Sequence, residues 1–98
     1  MEKVITSTTV PVLIEKETIP NLKFKKEIQL EQQPDLKKRL VDATSLGNLH
    51  RGKIAIIFAD DDGLKRVETT IWATGAKYIC LKGGVWLPIN RIKEVRFL

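Results

Sequence analysis

GKIAIIFADDDGLKRVETTIWATGAKYICLKGGVWLPINRIKEVRF, residues 52–97, decides the fold. It holds five of the six aromatic residues, so the core and any ring-lined surface are built here. Lys53 to Phe58 reads as a strand with Ile54, Ile56 and Phe58 on one face and Ala55 and Ile57 on the other. Apolar residues on both faces mean a strand covered twice, by a sheet interior and by a helix or arm. Asp60–Asp61–Asp62–Gly63 is a hairpin turn in which Gly63 supplies backbone freedom. A second strand, Leu64 to Ala73, sets Val67, Thr69, Ile71 and Ala73 against Arg66, Glu68, Thr70 and Trp72. Turns at Thr74–Ala76 and Lys82–Gly84 bracket strands at Tyr78–Leu81 and Val85–Leu87. Pro88 breaks the pairing with a 3₁₀ turn, and Lys93–Phe97 closes the sheet.

The stretch PDLKKRLVDATSLG, residues 34–47, is the one clear helix. Pro34 and Asp35 suit its first turn, and Leu36, Leu40, Val41 and Leu46 lie on one side with Ala43 near them. Gly47 followed by Asn48 predicts a left-handed stop. Residues 1–33 read as an extended arm, partly strand, and residues 34–98 as a helix plus a small barrel, the whole being a single domain. Val10, Val12 and Ile14 alternate as one apolar face, and Pro11 restricts that segment to an edge strand. Ile19–Leu22 is a turn signal, and Leu22–Lys25 alternates as a short strand with its lysines outward.

The order of helix, bent antiparallel meander, short fourth strand, 3₁₀ turn and last strand resembles the Sm-like and SH3-like small barrels over about residues 35–98. The ending GGVWLPINRIKEVRF carries the resemblance, because such barrels often close on a hydrophobic–Pro–x–x–Arg–Ile–x–x–Val step. The likeness is topological and implies a mainly β protein: a small five-stranded barrel or roll with one preceding helix and an extended N-terminal arm. Fold-level likeness of this kind carries no function by itself.

Composition bounds the function classes. Ninety-eight residues make one domain with a single core. The formal net charge of +5 favours encounters with nucleic acid, acidic protein or anionic lipid. The single cysteine, Cys80, excludes an internal disulfide and reads as a buried small hydrophobe in KYICLK. No continuous apolar run reaches the length of a signal peptide or a membrane span, so no membrane association is expected and the cytoplasm is the expected location. The three adjacent aspartates lack the alternate spacing and later Glu of a calcium loop. His50 has no partner at metal-ligand or catalytic spacing, and no phosphate-binding glycine motif occurs. Neither an enzyme nor a cofactor or metal site is expected.

Alternation places Trp72, Tyr78 and Trp86 together on one sheet face, with Arg66, Lys77, Lys82 and Arg91 at nearby strand ends and turns. Lys37–Lys38–Arg39 is the densest basic run, a solvated helix face or a phosphate-contacting patch. Rings among cations are what single-stranded RNA or DNA uses, rings for bases and cations for phosphates. The same face equally suits a minor core buried under the arm or helix. Two functions stand at this point: a small basic single-stranded nucleic-acid-binding module, and a protein-interaction or self-assembly module that uses the arm and sheet edges.

Overall fold

The computed structural model describes residues 3, 4, 10–50 and 52–98. In chain order the elements are β1 (Lys3–Val4), β2 (Val12–Leu13), a 3₁₀ helix (Lys16–Asn21), β3 (Ile28–Gln29), α1 (Leu36–His50), β4 (Ile54–Ala59), β5 (Leu64–Thr69), β6 (Ile71–Thr74), β7 (Tyr78–Leu81), β8 (Val85–Pro88), a 3₁₀ turn (Ile89–Arg91) and β9 (Ile92–Phe97). Among the described residues the protein is mainly β with one α-helix.

The six long strands, β4 to β9, together with β2, do not close into one hydrogen-bonded barrel among the described residues. They divide into a four-stranded sheet ordered β2-β5-β4-β9 and a three-stranded sheet ordered β6-β7-β8. Two local features cause the division. The expected second strand breaks at Thr70, where the buried hydroxyl donates to the Gly52 carbonyl (3.2 Å) and the carbonyl accepts from the Lys82 amide (2.9 Å). On the other side, the 3₁₀ turn at Ile89–Arg91 separates β8 from β9, so no ladder joins them. A bulge between Ile71 and Ala73 then shifts the side-chain phase. Thr69, Thr70 and Ile71 are consecutively buried, and Trp72 and Ala73 are consecutively exposed.

As its composition demands, β4 is covered twice. Ile54, Ile56 and Phe58 enter the main core with Val67, Ile71, Ile79, Leu81, Leu87, Ile92 and Val95. Ile57 and Ala59 lie in a second cluster with Leu64, closed by Ile28 and Leu30 of the arm. The arm therefore serves as the second layer. β2 pairs in parallel with β5, and Ile19 of the 3₁₀ helix is 2% exposed in the main core, with Ile14, Leu22 and Phe24 packed beside it. Val10, Val12 and Leu13 are exposed, so the expected apolar face of that segment contributes only Ile14 to the core. Leu22–Lys25 is not a strand, because the Lys23 carbonyl accepts from the Asp61 amide (2.8 Å) instead of joining a ladder. Gln33 lies along β9: its amide donates to the Lys93 carbonyl (2.8 Å) and its side-chain oxygen accepts from the Val95 amide (3.0 Å).

α1 starts later and ends later than its sequence signals indicate. Asp35 takes φ 58° and its carbonyl is the first helical acceptor, for the Arg39 amide (3.0 Å), which leaves Pro34 outside the helix. Gly47 is not the stop but a contact point. A Cβ there would lie 2.6 Å from Thr70 Cγ2 and 2.8 Å from the Ile71 carbonyl oxygen. Leu36, Leu40, Ala43 and Gly47 form the buried stripe, and Thr44 Oγ1 shares a 2.6 Å hydrogen bond with Thr74 Oγ1 of β6.

Gly47→Ala is expected to destabilise by about 1–3 kcal/mol through the clash, although alanine is the better helix former by about 1 kcal/mol. Urea titration reads the balance. Ile19→Ala is expected to cost about 2–5 kcal/mol, which would place the arm inside the cooperative unit; a change below about 0.5 kcal/mol would place it outside.

Candidate ligand-binding face and groove

Cross-strand register fixes the outer face of the three-stranded sheet. Ile79 and Leu81 of β7 pair with Leu87 and Val85 of β8 and point to the core, which turns Tyr78, Trp86 and Pro88 to the opposite face together with Cys80, itself buried there. Cys80 pairs with Trp86 on one side and Ala73 on the other, so two small residues form a floor beside Trp86. Trp72 is the bulged residue of β6 and stands at one end of this floor. Trp72, Tyr78 and Trp86 are 49%, 50% and 60% exposed. The face expected to carry all three rings is open among the described residues. A cavity of about 360 Å³ beside Trp72 is lined by Gly47, Asn48, Thr70 and Lys82, where the end of α1 meets the β7–β8 turn. That turn depends on Gly83 and Gly84, whose φ values of 91° and 83° other residues rarely adopt.

The cations expected at this face are dispersed. Lys77 and Lys82 are exposed at the two ends of β7. Arg66 lies on β5, in the other sheet, paired with Glu68 at 3.0 Å. Lys37, Lys38 and Arg39 are exposed on α1; the Lys37 ammonium donates to the Gly75 carbonyl in the turn before Tyr78, and Lys38 pairs with Asp42 at 3.7 Å. Arg91 is only 6% exposed and is engaged internally. Its guanidinium donates to the Ala59 carbonyl (3.2 Å), to Asp61 Oδ1 (3.0 Å) and to the Lys26 carbonyl, and it lies 5.6 Å from the Phe24 ring centre.

Asp61 is the hub of that arrangement. Besides Arg91, its carboxylate accepts from the Lys25 amide (3.1 and 3.0 Å) and the Lys26 amide (3.0 Å). Burial pushes this carboxyl up, but the two amides and the guanidinium outweigh it and hold the group below its ordinary value of 3.8. Asp60 is used differently: its Oδ1 accepts from the Asp62 and Gly63 amides (2.9 Å each) and from the Lys65 ammonium (3.2 Å), stiffening the hairpin. Among the described residues no group of His, Cys, Asp or Glu side chains is placed to hold a metal ion. His50 is exposed at the end of α1. No helix among the described residues is long and apolar enough to cross a membrane.

Arg91 also lines an open groove of about 900 Å³, with Lys25, Lys26, Lys77, Tyr78, Pro88 and Asn90. Lys25, Lys26 and Asn90 were not singled out from the sequence. The run KFKKE at 23–27 showed the charge, but only the buried Asp61 carboxylate, distant in sequence, brings it to the sheet. No protein-family model matches the chain, and no curated protein or solved structure compared with it matches either.

Because the folded state favours ionised Asp61, its contribution to stability is complete from about pH 5 upward and is lost as pH falls through 3.8 towards the lower folded-state value. Glu17, hydrogen-bonded to Lys16, and Glu94, hydrogen-bonded to Arg96, are lowered in the same sense and add to the acid limb. Asp61→Asn is expected to lower Tm at pH 7 and to flatten the fall in Tm below pH 4. Equal Tm values for variant and parent at pH 7 would contradict the assignment.

Proposed function

We propose that the protein is a small, non-enzymatic, cytoplasmic binding module that takes single-stranded RNA or DNA on the outer face of β6, β7 and β8. The observation that carries this reading is the exposure of Trp72, Tyr78 and Trp86 on one sheet face between Lys77 and Lys82. Exposed rings stack on bases without sequence preference, and ammonium groups meet the phosphates between them. The strand order α1, β4, the broken pair β5 and β6, β7, β8, 3₁₀ turn, β9 supports reading the two sheets as an open form of the SH3-like or Sm-like barrel.

Self-association through the arm is the second reading, and one observation favours it: Val10, Val12 and Leu13 are exposed on or beside the edge strand β2. Against it, the arm is occupied by its own chain, with β2 on β5 and Gln33 along β9. A monomeric mass by light scattering at high concentration would count further against it.

Binding of a fluorescent oligothymidylate or oligouridylate at low salt tests the first reading. Each stacked base is worth about 1–3 kcal/mol, so Trp86→Ala and Trp72→Ala are each expected to weaken binding roughly 5- to 150-fold. Absence of binding at low salt, or unchanged affinity in both variants, would contradict it.

A further inference from the structure

We infer that the groove beside Tyr78 is a phosphate track, and that the strand whose bases stack on Trp86 and Tyr78 runs its backbone over Lys77, Lys25 and Lys26. The inference rests on the nucleic-acid reading above and adds to it a direction and a second set of contacts. Tyr78 belongs to both surfaces: it stands on the aromatic face and lines the groove. Trp86 is two residues before Pro88, the register partner of Tyr78, so the two rings sit on successive outward rows about 7 Å apart along the strands. Continuing the same way along β7 and β8 leads to Lys77 and Asn90, and the facing wall is the arm at Lys25 and Lys26.

Charge and rigidity fit a phosphodiester chain. Lys25, Lys26 and Lys77 are exposed and form no ion pair among the described residues, whereas Glu27 is the single carboxylate in the lining. The Lys25 and Lys26 main chain is fixed by Asp61, so two cations are presented from a held backbone. The groove is open and mixes a ring, a proline and an amide with the cations, which suits a chain passing through. Each phosphate neutralised in a single strand contributes about 0.7 to the slope of log affinity against log salt.

The test is a salt titration of oligothymidylate binding by the full chain. Lys25→Ala/Lys26→Ala removes two side chains but keeps both amides on Asp61, so the fold is retained; circular dichroism and Tm verify this. This variant is expected to lower the salt slope by about 1.4 and to weaken binding at low salt, whereas Trp86→Ala weakens binding with the slope unchanged. Arg96→Ala changes the net charge by one on β9, outside the groove, and is expected to leave the slope alone. A slope unchanged in Lys25→Ala/Lys26→Ala while Trp86→Ala still weakens binding would overturn the track and leave the aromatic site standing. No oligothymidylate binding to the parent at low salt would overturn both. Displacement of the strand by thymidine monophosphate at equal phosphate concentration would replace the track with a mononucleotide pocket. Groove-dependent binding of polyglutamate without oligothymidylate would replace it with an acidic-protein site.

Discussion

The Asp61 carboxylate ties the N-terminal arm to the sheet through Lys25, Lys26 and Arg91. A carboxylate taken out of water is tolerated only when its oxygens are fully engaged. Here two arm amides and one guanidinium engage them, and that guanidinium also satisfies the carbonyls of Ala59 and Lys26. One charge pair thus ties together the end of β4, the arm and the 3₁₀ turn before β9. The hairpin aspartates divide the work: Asp60 closes its own turn, and Asp61 reaches across the molecule.

Anchoring the arm there determines what is left exposed. The arm supplies Ile28 and Leu30 to the second face of β4 and Ile19 to the main core, and α1 packs along β6 and β9. Both elements are committed, and among the described residues neither covers the outer face of β6, β7 and β8. The rings on that face remain open because the covering elements are needed where β4 is apolar on both sides.

Much of this was legible in the residues. The two-sided apolar pattern of Ile54–Phe58 called for a second layer, and the alternation around Tyr78–Leu81 and Val85–Leu87 placed Tyr78 and Trp86 on one face. Other features were not, because they depend on contacts distant in sequence. Gly47 carries a helix-stop signature, yet its lack of a side chain serves close approach to Ile71. The alternation of Leu64–Ala73 gave no sign of the break at Thr70, which the Gly52 and Lys82 partners impose. Arg91 looked like one more surface cation, and its burial follows from a partner thirty residues away. The basic wall at Lys25 and Lys26 was missed for the same reason.

Asp61 holds the arm as part of the folded core, and native-state hydrogen exchange at the Lys25 and Lys26 amides reads this out. Protection close to that of the β4 amides is expected, lost selectively at those two positions in Asp61→Asn. Free exchange at Lys25 and Lys26 in the parent protein, with β4 protected, would contradict it.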